Sequence, residues 1–349
     1  MGTPITGREI LMGLKKASAW RTAVACGAND GLLILSESLK QTREHLKDDS
    51  AGLAFIQRTD SGKINASGGF EGYLRYEGLD IPIALAMGQA GAPTQQGLTV
   101  AYTNAYKLTM NPVGLFATLA FLKKSDIVHE FPSAKIHGFT ISGEMNAPLK
   151  ISFDVLANLL KLASVTNTSA TMANVTYPDK GNRIIFNKDA TFKINDESGA
   201  ALVDGDKIFP ASFDLAFNRP MEGDLVAGNE DIDEPVGTDF PETTLTLNFP
   251  RYNDANHQFF TDWDAFTRKK MEIYFKGPLI VDTYYYEFKL SFPNLKVVDP
   301  DAAISGPGKI PASIPFTVLG TDTAPTGMTE ITQPFQINVQ NKRTTNPLA

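Results

Sequence analysis

Alternation of apolar and polar side chains is the feature that most constrains the fold of this chain. Within the segment 284–298, the even positions from 286 to 292 carry apolar or aromatic side chains: Tyr286, Phe288, Leu290 and Phe292. The odd positions carry Tyr285, Glu287, Lys289 and Ser291. Because successive side chains of a β-strand point to opposite faces of a sheet, this spacing predicts a strand with one buried and one solvated face. Residues 242–249 repeat the pattern, with Thr244, Thr246 and Asn248 on the polar face.

Further segments with strand chemistry are spread over the whole chain. They lie at 23–36, 70–76, 102–110, 115–122, 135–142, 149–155, 183–186, 190–194, 209–217 and 271–275. A turn-rich hexapeptide that contains Gly143 and Pro148 separates two of these runs, which predicts a hairpin. The polar segment 37–47 is expected to cross the surface as a helix or a loop.

Two helices are predicted between the strands, one over 79–87 and one that begins after Asn253. Asn253 is a favoured residue at a helix N-terminus because its side chain accepts a hydrogen bond from the first turn. The second helix places four aromatic side chains along one stripe: Phe259, Phe260, Trp263 and Phe266. Such a stripe is typical of a helix that packs on a sheet, although a ligand pocket is the alternative interpretation.

The length of 349 residues exceeds what one hydrophobic core usually serves, which favours two domains. The order of strand, helix and strands occurs once in each half, and the Thr- and Asn-rich segment 165–176 lies between the halves. We therefore predict a mainly β fold, possibly of two tandem modules, 1–164 and 165–317, whose strands can interleave. Residues 318–349, rich in Thr, Pro and Asn, are expected to form an extended C-terminal arm.

Charge and cysteine content exclude several classes of function. The net charge of −7 has the wrong sign for a protein that grips nucleic acid. The lone cysteine, Cys26, cannot form an internal disulfide, and a buried inert thiol is expected there. No run of apolar residues approaches the length of a membrane span, and no export signal is evident, so we expect the chain to fold in the cytosol without a membrane partner.

The chemistry of an active site is not evident. The four histidines are scattered, without the spacing of a metal site, and no nucleophile motif is present. We predict no enzyme activity, no metal and no cofactor. A carboxylate-based hydrolase stays open as an alternative, since pairs among the 39 acidic residues are invisible in one sequence.

Two groups of residues are candidate contacts between subunits. The first is an acidic segment whose spacing does not fit a calcium loop: Glu222, Asp224, Glu230, Asp231, Asp233 and Glu234. A solvated segment is expected here, in the form of a long projecting hairpin or loop. The second group is Tyr284 and Tyr285, because consecutive tyrosines in a strand place a ring on each face.

The order of several segments resembles a known family. These are the run 65–79 that leads into a helix ending at Met87-Gly88, the hairpin 135–154 and the closing strand 286–297. Over about 24–318, the chain is similar to the major tail tube proteins of long-tailed, siphovirus-type phages.

This resemblance implies β-sandwich or barrel-like modules, each with a flanking helix, that join their sheets around a channel. The rings would be trimeric if the chain holds two modules and hexameric otherwise, and they would stack through long loops into a tube in the virion tail, assembled in the host cytoplasm. Implied partners are further copies of the chain and the tape measure, tail terminator and tail-tip proteins, while DNA passes without sticking. Candidate lumen-facing residues are Thr244, Thr246, Asn248, Glu287, Lys289 and Ser291. A carbohydrate-binding or adhesive β-sandwich is the alternative function.

Overall fold

The computed structural model describes residues 6–51, 54–56, 58–124, 126–177 and 181–349. The α-helices in this part of the chain are α1 (Asp80–Met87), α2 (Ser169–Met172), α3 (Phe186–Asp189) and α4 (Asp254–Asp264). The strands of the N-terminal half are β1 (Leu11–Ala17), β2 (Gly31–Leu32), β3 (Ser36–Glu37), β4 (Lys40–Lys47), β5 (Thr59–Tyr73), β6 (Gly88–Ala90), β7 (Thr94–Gln95), β8 (Tyr102–Leu108), β9 (Phe116–Lys124), β10 (Ile127–Glu144) and β11 (Lys150–Ala157). Those of the C-terminal half are β12 (Ala190–Asp196), β13 (Lys207–Ile208), β14 (Ser212–Asn218), β15 (Met221–Glu222), β16 (Val236–Gly237), β17 (Glu242–Phe249), β18 (Arg268–Val281), β19 (Tyr284–Val297), β20 (Ala312–Leu319) and β21 (Gln336–Asn341).

The first layer of the fold is built around the long strand β10. One edge of β10 pairs with β11, and the other edge pairs with β9 through its first half and with β14 through its second half. The layer continues from β11 to β5 and β4 on one side, and from β14 to β17 on the other. All of these pairings are antiparallel, as the predicted hairpin at 135–155 requires.

The second layer is centred on β19. β18 pairs along one edge of β19 and then with β12, while β21 pairs along the other edge and then with β8. β20 joins the layers, because residues 312–317 pair with β17 and residues 316–319 pair with β19. The pairings among the described strands never return to their starting strand, so the sheet is open.

The core lies between the two layers and is rich in phenylalanine. Phe213 of β14 packs on Phe275 of β18, with ring centroids 6.0 Å apart. Phe335, just before β21, contacts Phe139 and Phe217 of the first layer at 6.1 and 5.7 Å. Contacts of this kind across the two inner faces define a β-sandwich. The prediction of a mainly β, sandwich-like fold is therefore confirmed.

The same arrangement of four strands and a helix occurs twice. In the first unit the neighbours are β9, β10, β11 and β5, and α1 follows β5 in the chain. In the second unit the neighbours are β18, β19, β20 and β17, and α4 follows β17. The division of the chain at residue 164 stays a prediction, and the ladder from β10 to β14 runs across it.

Helix α1 is buried on nearly all sides and ends against a buried arginine. Gly88, directly after the last residue of α1, adopts a φ of 91°, a conformation that favours glycine. Arg219 lies at this end of the helix. The Arg219 guanidinium is fully buried and donates hydrogen bonds to the carbonyl oxygens of Ala86 and Thr109, both at 2.9 Å. Desolvation lowers the pKa of Arg219 to about 10, so the group is a cation at neutral pH and complements the negative end of the helix.

Several local predictions are wrong. The segment 37–47 is not a helix or a loop but contains β4, whose residues beyond Gln41 are all exposed. Both faces of β4 meet solvent, so no apolar period marks the strand, and among the described strands it pairs with β5 alone. Of the strand predicted at 23–36, only Gly31–Leu32 and Ser36 are in strands. In place of the strand predicted at 183–186, Arg183 and Ile185 form isolated bridges before α3.

The aromatic stripe of α4 is only partly in the core. Phe259 is buried against Phe249 and Phe316, as predicted. Trp263 and Phe266 are instead 44% and 74% exposed. The helix ends at Asp264, and a φ of 54° at Phe266 turns the chain toward β18 before the end of the stripe can reach the sheet.

The C-terminal segment 318–349 is not merely appended to the fold. It contains β21, which lies between β8 and β19 and buries Ile337 and Val339. Asn341, at the end of β21, donates a hydrogen bond to the carbonyl oxygen of Tyr76 at 3.0 Å. The strand thus ties the end of the chain to both halves.

Candidate functional site

The outer face of the first layer is a continuous polar surface, here called the first outer face. It is formed by the outward side chains of β5, β11, β10, β14 and β17. Thr244, Thr246 and Asn248 lie on it, opposite Ala216, Asp214 and Ser212 of β14. Asn248 donates to the Ser212 hydroxyl at 3.1 Å and accepts from the Ser313 hydroxyl at 2.9 Å, which fixes the orientation of the amide. Thr244 is exposed, whereas Thr246 and Asn248 are half-buried.

Carboxylates dominate the charge of the first outer face. On β11, β14, β17, residues 66–73 of β5 and residues 138–144 of β10, the outward charged side chains are Glu71, Glu144, Lys150, Asp154, Asp214 and Glu242. Lys150 lies 3.5 Å from Glu71. Burial and the nearby Glu144 raise the pKa of Asp214, as expected where carboxylates crowd one surface.

His137 lies at the end of this face where β10 is bulged. The bulge between Ile136 and Gly138 brings the imidazole close to Asp154 and Asn218. Burial lowers the pKa of His137 despite the neighbouring carboxylate of Asp154. The histidine is therefore neutral at pH 7 and adds no positive charge to the surface.

The other lumen-facing candidates lie on the outer face of the second layer. Glu287, Lys289 and Ser291 are on the side of β19 opposite the buried Phe288, as the alternation predicts. Lys289 lies 3.3 Å from Glu272 of β18. Ser291 is only 2% exposed and does not reach solvent with the other two. The two candidate groups thus point away from the core on opposite sides of the sandwich.

Three carboxylates of the acidic segment bind the segment to the body of the same chain. Arg21 lies 3.0 Å from Asp231 and 2.9 Å from Asp233. Glu234 lies 2.5 Å from Lys135, whose side chain is 1% exposed. Because these contacts lie within one chain, they anchor the segment. The same carboxylates are the ones for which the sequence predicts contacts with a neighbouring subunit.

The remaining acidic residues are more open. Glu230 is half-exposed and lies 3.0 Å from Arg43 on β4. Asp224 and Glu222 are exposed, and Glu222 pairs with Val236 in the two-stranded sheet of β15 and β16. The segment is therefore a hairpin folded back on the chain.

Tyr284 and Tyr285 begin β19 at the turn that joins it to β18. Both are half-buried. The Lys276 ammonium lies 3.7 Å from the ring centroid of Tyr285, a cation–π contact. The backbone carbonyl of Tyr285 accepts from Gln340 at 2.7 Å, so contacts within the chain hold both the ring and the backbone of this residue.

A feature that sequence analysis missed is the outer half of the β4–β5 hairpin, residues 42–61, here called the ribbon. All of its described residues are exposed. Its turn carries Phe55, which is 81% exposed, and Ile56, which is 55% exposed. This part of the chain is a mixture of Gly, Ser, Asp and Lys without an apolar period, so its sequence does not indicate the regular pairing of the two strands.

The described residues hold little that suggests catalysis. No group of three or more His, Cys, Asp or Glu side chains in them is arranged to hold a metal ion. Cys26 is 3% exposed, and burial raises the pKa of its thiol to about 12, as the predicted inert thiol requires. Within the same residues, no helix has the length and apolar character of a membrane span.

Comparison with known proteins identifies the family. A search of the curated proteins finds no match. A family model described as phage tail tube protein matches residues 7–318, which is most of the chain and includes both four-strand units. The match spans the polar outer faces, the acidic segment and both helices that follow the first strand of each unit. The chain therefore belongs to the phage tail tube protein family.

Proposed function

We propose that copies of this chain close into rings, and that the rings stack into the hollow tail tube through which the phage genome passes. The observation that carries the proposal is the open sheet of a family member, with one acidic polar face and, among the described strands, outer edges such as that of β4, which pairs with β5 alone. Exposed sheet edges are an aggregation hazard unless another strand or chain completes them. Pairing between copies removes these edges and generates a closed wall.

The first outer face is the surface proposed to line the channel. On β11, β14, β17, residues 66–73 of β5 and residues 138–144 of β10, five carboxylates against one lysine repel the phosphates of duplex DNA. The other side chains on this part of the face are mostly small hydroxyls and amides, and the Arg183 guanidinium lies over the ring of Tyr73. The outer face of the second layer, here called the second outer face, carries Lys289 and Lys276 together with carboxylates and tyrosines. This mixture of charges is less suited to the wall of a channel for DNA. Thr244, Thr246 and Asn248 are thus proposed lumen residues, and Glu287 and Lys289 are proposed to face outward.

Three chains per ring is the proposed stoichiometry. Each chain holds the four-strand unit twice, so three chains supply six such units in one closed ring. Closed rings of identical contacts are the usual outcome of rotational symmetry between chains. The tube is proposed to lie in the virion tail after assembly in the host cytoplasm and to meet tape measure, terminator and tail-tip proteins at its interior and ends.

Assembly is tested first on the purified full chain. Light scattering across protein and salt concentration, with negative-stain microscopy, should show hollow rings or tubes, and the ring mass should be three times 37.9 kDa. A monomer that stays dispersed under all conditions, including with tail-initiation proteins added, would contradict the proposal.

The orientation of the two faces is tested by cysteine accessibility in assembled tubes. Thr244→Cys should react with a small maleimide but be protected from a maleimide on a long polymer that cannot enter the channel. Lys289→Cys, on the opposite face, should react with both reagents. The native Cys26 is buried and gives a low background. The reverse pattern of protection would assign the channel to the second outer face.

A further inference from the structure

The C-terminal strand β21 lies outside the part of the chain that the family model matches. That match ends at residue 318, whereas β21 begins at Gln336. The strand is nevertheless a central one, because β8 pairs with it along one edge and β19 along the other. Ile337 and Val339, on its inner side, are buried. A strand with both edges paired and an apolar side in the core is an integral part of the sheet.

Among the strands that the structure describes, β21 is also the link through which β8 reaches the second layer. The other partners of β8 are the short strands β6 and β7, which pair with β8 alone. This small group of strands follows α1 directly in the chain, since β6 begins at Gly88. β21 therefore connects the strands around α1, in the first half of the chain, to β19 of the second unit.

A buried group of polar side chains fixes the end of β21 to α1. Asn341 is fully buried and donates to the Tyr76 carbonyl at 3.0 Å and to the Asp80 carboxylate at 2.9 Å. Its side-chain oxygen accepts from Asn104 of β8 at 3.1 Å. Tyr106 of β8 donates to the same Asp80 oxygen at 2.7 Å. Because buried polar groups that lose their partners cost free energy, this group holds β21 in one position.

The two units of the chain are thus joined in both layers. In the first layer, residues 138–144 of β10 pair with β14, which pairs in turn with β17 of the second unit. In the second layer, the connection runs from β8 through β21 to β19. A junction held by one ladder can rotate about that ladder. Two connections, separated by the distance between packed sheets of roughly 10 Å, fix the angle between the units.

The second-layer connection occurs within the chain and is not offered to a neighbour. Both edges of β21 are paired inside the same chain. In the second unit, α4 is followed by β18 after residues 265–267, so no counterpart of β6, β7 and β8 lies between them. The junction inside the chain therefore has a fixed angle that a contact between chains does not reproduce in the same way.

We infer that residues 319–349 are an assembly clasp, in which β21 sets the angle between the two units and so lets a ring close on three chains. Repeated contacts close into a ring only when their rotations add up to a full turn, and otherwise they continue as open filaments. A chain whose units can rotate should therefore give open oligomers and rings of several sizes. This inference rests on the proposed function and assigns a role in it to the segment outside the family match.

The first test releases β21 in the full-length chain. Val339→Asp places a carboxylate in the core and should expose the amide hydrogens of β21 to exchange with solvent, which mass spectrometry detects. The assembled variant should lose the uniform three-chain mass and give open or mixed oligomers. Thr344→Asp, at an exposed position of the same segment, is the matched control and should keep both β21 protection and a uniform ring mass. Asn341→Ala removes only the polar fixation, and the same two readouts apply to it if Val339→Asp does not fold.

The second test restores the clasp with a disulfide. Ala105 of β8 and Asn338 of β21 lie directly opposite each other, and both are half-buried. Because directly opposed strand residues are within the span of a disulfide, Ala105→Cys and Asn338→Cys can be added to the released variant. Oxidation should then restore rings of three chains, and reduction should remove them again.

Two results would overturn the inference and leave the tube proposal standing. One is uniform three-chain rings from a chain whose β21 amides exchange freely. The other is a disulfide that forms between β8 and β21 without restoring the rings. A wild-type chain that forms no rings would instead refute the proposed function, and the inference with it.

Discussion

Replacement of Arg219 by methionine should destabilise the chain by several kcal/mol. The buried guanidinium of Arg219 is the donor to the carbonyl oxygens of Ala86 and Thr109. Each buried acceptor that loses its partner costs about 1–3 kcal/mol, so two of them cost about 2–6 kcal/mol. Removal of a desolvated cation returns part of that free energy, and we expect a net loss of about 2–4 kcal/mol.

The assay is urea unfolding of the unassembled protein at low concentration, since assembly itself would stabilise the native chain. Tryptophan fluorescence reports the transition through Trp20 and Trp263. Arg219→Lys keeps the charge but loses the forked geometry and should fall between the wild type and Arg219→Met. Arg251→Met, at an exposed arginine, is the control and should change the free energy of unfolding by less than about 0.5 kcal/mol. A loss below about 1 kcal/mol for Arg219→Met would refute the reasoning.

Three further predictions concern the charged groups of the site. Glu234→Gln should cost about 3–5 kcal/mol in urea unfolding, because a buried lysine loses its carboxylate, whereas Asp224→Asn in the same segment should cost less than about 0.5 kcal/mol. Burial lowers the pKa of His137, so the imidazole binds a proton at a higher pH in the unfolded chain than in the folded chain. Thermal stability should therefore fall as the pH drops below about 6.5. His137→Gln should reduce this fall, and His45→Gln, at an exposed histidine, should not. Tubes of Asp214→Lys should retain labelled duplex DNA in low-salt sedimentation and release it as salt rises, whereas wild-type tubes should not retain it. Equal losses of stability in Glu234→Gln and Asp224→Asn would contradict the first prediction. An unchanged pH response in His137→Gln would contradict the second, and equal DNA retention by Asp214→Lys and wild-type tubes would contradict the third.

Strands with a buried face were predictable because burial imposes a period. β17 has the predicted bounds, and β19 ends within one residue of them, since Leu245, Leu247, Phe288 and Leu290 must all reach one core. β4 was missed for the opposite reason, because a ribbon with two solvated faces places no demand on the order of its side chains. β21 did carry a signal, with Phe335, Ile337 and Val339 two residues apart, but the surrounding Thr, Pro and Asn favoured an extended arm.

The sequence predicts which side chains of the candidate site are polar and point outward, but it does not predict on which face of the fold they lie. Alternation identified the outward side of β17 and of β19, but it did not reveal that these sides lie on opposite faces of a sandwich. That relation depends on the turn of the sheet at β20, a pairing between distant parts of the chain. The same applies to the acidic segment, whose partners Arg21 and Lys135 are about a hundred or more residues away.

A cryo-electron microscopy map of the assembled wild-type chain tests the central claim most directly. We predict rings of three chains, with Thr244, Asp214 and Asp154 lining the channel. A channel lined by Glu287 and Lys289, or an assembly without a channel, would contradict the account.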